Sequence, residues 1–186
     1  MEIGAARRAM AGETECGDAF LVTARPGHTL VAVVDGLGHG EGAAKASRAV
    51  CDYLEAHEGV DLKALMEGCH RAVARTRGAA LTLLSIDTAG TRMQHAAVGN
   101  VELTALSRAP IRALTVPGVV GGHLRKVLVN DFPLSPGDRI VVVTDGISRR
   151  FRLEDYRGLD AQVMAERMVA EHAKGHDDAT CVAVVV

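Results

Sequence analysis

The sequence predicts an α+β fold with antiparallel sheets, formed by a single domain over residues 1–186. The main observation is the order of the elements, which is a β-hairpin, two consecutive helices, a run of short strands, one helix and a final strand. Runs of strands beside runs of helices are typical of α+β layering. The second observation is composition: 48% hydrophobic and 24% charged residues, with no low-complexity linker, are ordinary for one globular domain.

The first half of the chain predicts the hairpin and the two helices. Two apolar runs, Ala19–Ala24 and Thr29–Val34, flank a turn that contains Pro and Gly and are expected to pair as strands. Residues 41–57 place apolar side chains at helical spacing. Asp61 is a suitable N-cap for a second helix, which the pattern places over residues 62–75.

The second half is richer in strands. Short β-like runs cover residues 80–87, 91–98, 102–107, 111–116 and 125–130, and glycine and proline separate them. Residues 132–138 then predict a turn, and residues 139–144 predict a buried strand. A last helix fits residues 160–174, and the strand 180–186 closes the chain.

Charge and cysteine content restrict the class of protein. A net charge of −2 argues against a non-specific nucleic-acid binder, which needs a basic surface. The four cysteines form no C-x-x-C pair, which disfavours a zinc knuckle or a disulfide framework. No signal peptide or membrane span is evident, so we expect a cytoplasmic protein with no nucleic-acid or membrane partner.

The glycine run Gly38–Ala43 raises the alternative of a dinucleotide-binding turn, because it fits G-x-G-x-x-A between an apolar strand and a helix. A dinucleotide-binding fold alternates strands and helices. Here two helices follow in tandem, and no strand is predicted at the position, about 20 residues later, where the acidic residue of a dinucleotide-binding fold would lie. The pattern therefore disfavours this alternative.

Aspartates recur at the ends of predicted strands. They are Asp18, Asp35, Asp145 and the pair Asp177-Asp178. A carboxylate at the end of a buried strand is costly unless charge or hydrogen bonds compensate it. Clusters of carboxylates suit Mg²⁺ or Mn²⁺, which prefer oxygen ligands. Each Asp-Gly pair alone is more typical of a structural turn, and the recurrence is what indicates a metal centre.

Three ordered motifs, VVDGLGHG, VVVTDGISRRF and GHDDATCVAVVV, resemble those of the PPM (type 2C) metal-dependent protein phosphatases. The similarity is greatest to the bacterial sporulation and stress-response branch, in particular the stressosome feedback phosphatases. It implies a four-layer α-β-β-α sandwich with two Mn²⁺ or Mg²⁺ ions at one end. It also implies a phosphorylated substrate protein, a stressosome scaffold protein, whose phosphoserine or phosphothreonine is hydrolysed by a water that bridges the metals.

The resemblance also implies roles for individual residues. Asp35 would bridge both ions and the Gly36 carbonyl would bind the second, while Asp145 and Asp177 would hold the other ion. Asp18 would act directly or through water, and Asp178 is a less favoured ligand than Asp177. The catalytic set would be Asp35, Asp145 and Asp18. Asn100 stands where many members have an Asp that helps to bind a third ion, so the resemblance does not decide whether a third ion binds here.

Three further residues are candidates for contact with the substrate. His39 lies between glycines beside Asp35 and could reach a phosphate. Arg149 and Arg150 follow Asp145 and could dock an acidic or phosphorylated partner, although a solvated start of a helix is an alternative for this segment. A degenerate phosphatase fold that only binds a partner remains a second hypothesis for the whole chain.

Overall fold

A computed structural model describes all residues 1–186. It contains nine strands, three α-helices and one short 3₁₀ helix at Leu153–Tyr156. The elements are β1 (Glu2–Arg8), β2 (Asp18–Arg25), β3 (His28–Gly36), α1 (Gly40–Ala56), α2 (Leu62–Ala72), β4 (Ala79–Asp87), β5 (Arg92–Val98), β6 (Glu102–Leu106), β7 (Asn130–Pro133), β8 (Arg139–Val143), α3 (Ala161–His172) and β9 (Ala179–Val185).

The strands form two antiparallel sheets that lie face to face. One sheet has the order β1-β9-β8-β6 and the other has the order β2-β3-β4-β5-β7. One hydrophobic cluster fills the space between the sheets. A second packs α1 and α2 against the five-stranded sheet, and a third packs α3 against the four-stranded sheet. This arrangement confirms the α+β class and the four-layer α-β-β-α sandwich.

The middle of strand β3, residues 30–34, is apolar at every position. Leu30, Ala32 and Val34 belong to the cluster under the helices. Val31 and Val33 belong to the cluster between the sheets. Successive side chains of a strand point to opposite faces, so a strand covered on both faces has no position for a polar residue until it ends. It ends at Asp35-Gly36, where the functional motif begins.

The helices occur where helical spacing predicts them. Asp61 caps α2, and its carboxylate accepts a hydrogen bond from the Lys63 N–H at 2.9 Å. Asp160 caps α3 in the same way through the Val163 N–H at 2.8 Å. None of the three helices combines the length and the apolar character that a membrane span requires.

Three segments differ from their sequence-based predictions. Strand β1 was missed, although it pairs along its whole length with β9. Residues 111–116 and 125–130 were predicted as strands, but all of them except Asn130, the first residue of β7, lie in an irregular loop in which Val116 makes an isolated bridge to Val98. The outer edge of β5 is occupied by β7 instead. Strand β7 in turn takes the start of the segment predicted as a turn.

Candidate metal centre

The ends of several strands surround one cavity of about 540 Å³. Its polar lining includes Asp35, Asp145, Asp177 and Asn100. The rest of the lining comes from the segments 37–39, Gly99 and 117–119, together with Ala80. The cavity therefore collects residues at the strand ends of both sheets and in the segment just before α1, and three of the predicted ligands are among them.

Asp18 and Asp35 are opposite each other in the register of β2 and β3. Asp18 is 2% exposed and accepts a hydrogen bond from the Thr144 hydroxyl at 2.7 Å. Burial raises the pKa of Asp18 to about 7, while the hydrogen bond from Thr144 partly offsets the rise. The ionised form of Asp18 is therefore costly in this environment without a positive partner.

Asp35 is the carboxylate with the least compensation. No donor of the protein forms a hydrogen bond with its side chain, whereas Asp18, Asp145, Asp177 and Asp178 each accept at least one. Burial, followed by repulsion from those carboxylates, raises the pKa of Asp35 to about 8. An uncompensated carboxylate beside like charges is a place where a cation would bind favourably.

Asp145 and Asp177 come from the ends of the other sheet: Asp145 follows β8, and Asp177 precedes β9. The Asn100 amide donates to the Asp145 carboxylate at 2.7 Å, and the Lys174 ammonium donates to the Asp145 main-chain carbonyl. Burial and then repulsion from Asp145 raise the pKa of Asp177. Asn100 and Lys174 thus hold Asp145 in place without neutralising its carboxylate by an ion pair.

Asp178 has a different environment from its neighbour. It is 3% exposed, and its two oxygens accept hydrogen bonds from the main-chain N–H groups of Met10 and Gly17, both at 2.9 Å. Its backbone also packs closely on Gly146, where an added Cβ would lie 1.7 Å from the Asp178 carbonyl oxygen. These contacts tie the start of β9 to the segment before β2, and they compete with any direct contact between Asp178 and a metal.

The donor set suits hard divalent cations. None of these five carboxylates forms an ion pair with a Lys, Arg or His side chain. No three His, Cys, Asp or Glu side chains converge closely enough to form a closed ion cage. Mg²⁺ usually retains several waters and contacts the protein through one or two carboxylates. Separated carboxylates around an open cavity therefore fit this type of ion and do not fit a tetrahedral zinc site.

Of the three candidate substrate residues, only His39 lies at the cavity. His39 lines the cavity, and its Nδ1 lies 2.6 Å from a Glu13 carboxylate oxygen. Arg149 instead forms an ion pair with Glu102 at 2.6 Å, and neither Arg149 nor Arg150 lines the cavity. No helix starts at residues 149–152. A docking role for Arg149 and Arg150 stays a prediction that concerns the surface outside the cavity.

Three residues at the site, Thr144, Lys174 and Arg77, were not predicted from the sequence. The Thr144 hydroxyl also accepts a hydrogen bond from the Thr180 N–H at 2.9 Å, so one hydroxyl joins β8, β9 and Asp18. Arg77 is exposed and its guanidinium packs on the glycine run, where an added Cβ on Gly42 would lie 2.7 Å from Arg77 Cζ. The glycines that resembled a phosphate loop thus make room for an arginine beside the cavity.

Comparisons with known proteins agree with this arrangement. Residues 25–186 match the family model described as Stage II sporulation protein E (SpoIIE). The chain is 30% identical over 139 residues to phosphoserine phosphatase RsbX of Bacillus subtilis (strain 168), and the match covers 74% of this chain and 70% of that protein.

Two solved structures have closely similar folds. One, from work described as "The bacterial stressosome: a modular system that has been adapted to control secondary messenger signaling", has a TM-score of 0.91 at 30% identity and covers 98% of this chain and 97% of that one. The other is RsbX in complex with magnesium, with a TM-score of 0.85 at 24% identity, and it covers 96% of this chain and 92% of that one.

Proposed function

The chain belongs to the SpoIIE family of type 2C protein phosphatases, and we propose that it is a divalent-metal-dependent enzyme acting on phosphoserine or phosphothreonine of bacterial stress-signalling proteins. The observation that carries the metal requirement is a set of strand-end carboxylates that no cationic side chain neutralises: Asp35, Asp145 and Asp177 line one cavity, and Asp18 is opposite Asp35 in the register of β2 and β3. A phosphatase of this kind needs such a centre because both the attacking water and the phosphoryl oxygens require positive charge.

Four carboxylates are assigned to hold the ions. Asp35 is opposite Asp18 in the register of β2 and β3, and it lines the same cavity as Asp145 and Asp177. Asp35 is therefore the best candidate for a ligand shared by two ions, and Gly36 follows it with a carbonyl that can serve as a further oxygen ligand. When bound, Mg²⁺ or Mn²⁺ would lower the pKa of a water and stabilise charge on the phosphoryl group.

The remaining residues of the site position these ligands. Thr144 holds one oxygen of Asp18 and leaves the other free. Asn100 holds one oxygen of Asp145 and likewise leaves the other free. We assign Asp178 to the same supporting role, because its own oxygens are used by the main chain of Met10 and Gly17. Residues that orient metal ligands in this way usually affect metal affinity by about 10- to 100-fold.

On the substrate side, His39 is the candidate residue. The Glu13 carboxylate occupies the Nδ1 side of the ring, which leaves Nε2 as the nitrogen available to a phosphate or a leaving hydroxyl. Arg77 lies next to His39, with one guanidinium nitrogen 3.4 Å from the His39 carbonyl oxygen and no carboxylate partner. Its other donors are available to a phosphorylated residue at the mouth of the cavity.

The proposed substrate is a phosphorylated protein of the stressosome scaffold type. Support comes from the 30% identity to RsbX, which is a phosphoserine phosphatase, and from the equally similar structure from the stressosome work. RsbX has also been crystallised with magnesium, which supports Mg²⁺ as one usable ion.

The first experiment measures hydrolysis of p-nitrophenyl phosphate with added Mn²⁺ or Mg²⁺ and with a chelator. We expect activity that requires the metal and that falls by at least about a hundredfold in Asp35→Asn and Asp145→Asn. The matched control is Asp52→Asn, because Asp52 is exposed on α1 and makes no hydrogen bond or ion pair. Full activity in the chelator would contradict the metal requirement.

A second experiment addresses the substrate. Phosphoproteomes of cells that produce the active protein or its Asp35→Asn variant should differ at phosphoserine or phosphothreonine sites of stressosome scaffold proteins. A folded protein that binds no Mn²⁺ by calorimetry and leaves these sites unchanged would instead favour a binding module with a degenerate phosphatase fold.

A further inference from the structure

A basic surface lies next to the catalytic cavity, at the C-terminal half of the loop before β7 and the adjoining face of α2. We call it the basic surface and define it by Lys63, Arg71, His123, Arg125 and Lys126. Arg71, His123, Arg125 and Lys126 are exposed. These residues line two shallow clefts, of about 400 and 340 Å³, that share Arg125 and Lys126.

The basic surface is continuous with the catalytic cavity. Pro117 and Gly118 line the cavity on one side and the first cleft on the other. The loop is held in this position by α2, because the Gly121 N–H donates to His70 Nδ1 at 2.9 Å. A chain segment that enters the cavity with a phosphorylated side chain therefore has a direct path along residues 117–126.

The charge of this surface is not neutralised within the protein. None of its Lys or Arg side chains is in an ion pair. Between Glu102 and Asp131 the chain has no Asp or Glu, although it has Arg108, Arg112, Arg125 and Lys126. Glu67 is the only acidic residue that lines the two clefts. A chain with a net charge of −2 thus concentrates free cations at one edge of its active site.

The surface also offers apolar contact. Leu124 and Val127 line the second cleft, and Leu128 and Val129 immediately beyond it are 37% and 41% exposed. Apolar side chains between cations are typical of surfaces that bind protein segments, whereas nucleic-acid sites need a more extended basic area.

We propose that the basic surface docks an acidic segment of the phosphorylated substrate protein, next in sequence to the phosphorylated residue. This inference rests on the proposed phosphatase function and adds the specificity that a small open cavity cannot provide. Arg125 and Lys126 are its central residues because they belong to both clefts. Charges at the edge of an interface mainly accelerate association, so the effect should appear in kcat/KM and decrease as ionic strength rises.

The test uses synthetic phosphoserine peptides in which the flanking residues are aspartates, serines or lysines. The unaltered protein should cleave the aspartate peptide with roughly five- to tenfold higher kcat/KM than the serine peptide at low salt. Arg125→Ala combined with Lys126→Ala should remove this preference and leave p-nitrophenyl phosphate hydrolysis unchanged. Arg112→Ala is the matched control, because Arg112 is an exposed cation of the same loop that lines neither cleft.

Charge reversal gives the sharper result. Arg125→Glu combined with Lys126→Glu should invert the preference, so that the lysine peptide becomes the better substrate. The proposal is overturned if the unaltered protein does not distinguish the peptides, or if Arg112→Ala reduces the preference as strongly as the double variant. Equal loss of p-nitrophenyl phosphate hydrolysis in the double variant would also overturn it. Absence of that hydrolysis in the unaltered protein would contradict the proposed function itself.

Discussion

Replacing Asp35 by Asn should have opposite effects on stability in the absence and in the presence of metal. In the folded protein burial and neighbouring carboxylates raise the pKa of Asp35 from 3.8 to about 8. A group whose pKa is higher in the folded than in the unfolded state contributes its full stability at a pH below the unfolded-state pKa. That contribution is lost as the pH rises from the unfolded-state pKa to the folded-state pKa. At pH 7 an unfolded chain has this group ionised, whereas the metal-free folded protein must hold it protonated.

The size of the effect follows from the pKa values. At pH 7 the protonation of Asp35 lowers the folding stability, because pH 7 lies about three units above the unfolded-state pKa of 3.8. At about 1.4 kcal/mol for each unit, the cost is about 4 kcal/mol. Asn resembles the protonated acid and does not pay this cost. Allowing for relaxation and for residual structure in the unfolded state, we expect Asp35→Asn to gain about 2 to 4 kcal/mol in a chelator. For a chain of this length that is about 5 to 15 °C in Tm.

The assay is thermal unfolding followed by circular dichroism at pH 7, once with a chelator and once with saturating Mn²⁺. The unaltered protein should be stabilised by Mn²⁺ by about 3 kcal/mol for each site filled at 100 times its Kd. Asp35→Asn should gain much less, while Asp52→Asn should behave as the unaltered protein in both conditions. Lower stability of Asp35→Asn in the chelator, or an undiminished response to Mn²⁺, would refute the reasoning.

Three further predictions concern other residues. Thr144→Val removes the hydroxyl that donates a hydrogen bond to Asp18 and accepts one from the Thr180 N–H. Calorimetry should therefore show that the Mn²⁺ affinity falls by about 10- to 100-fold. Thr144→Ser keeps the hydroxyl and should bind Mn²⁺ almost as the unaltered protein does. Burial lowers the pKa of His95 from 6.5 to about 4, so stability should fall by up to about 3 kcal/mol between pH 6.5 and pH 4. Urea unfolding of His95→Leu should lack this acid-dependent loss relative to the unaltered protein. Arg77→Ala should raise KM for a phosphoserine peptide by about three- to tenfold with kcat little changed, and an equal effect of the exposed Arg75→Ala would contradict a specific role.

Local pattern was sufficient for most of the fold. The apolar run of β3, which stops at Asp35, reflects a strand that is buried on both faces. Each residue of such a strand must be apolar, so the strand can be predicted from consecutive residues alone. The N-caps Asp61 and Asp160 use N–H groups two and three residues away, which makes them visible in sequence. The loop 107–129 was mispredicted because β-forming residues become a strand only when another strand pairs with them. That pairing depends on distant segments, and here β5 pairs with β7 and not with the loop.

The sequence by itself determined that aspartates stand at the ends of buried strands, and it thereby determined the kind of chemistry available to this protein. It did not determine which carboxylates are free to bind metal. Asp177 and Asp178 are adjacent, but only Asp178 meets Met10 and Gly17, more than 160 residues earlier in the chain. Its oxygens are used there, and those of Asp35 are not. Charge is a property of a residue, whereas compensation of that charge depends on partners that only the folded chain brings within 3 Å.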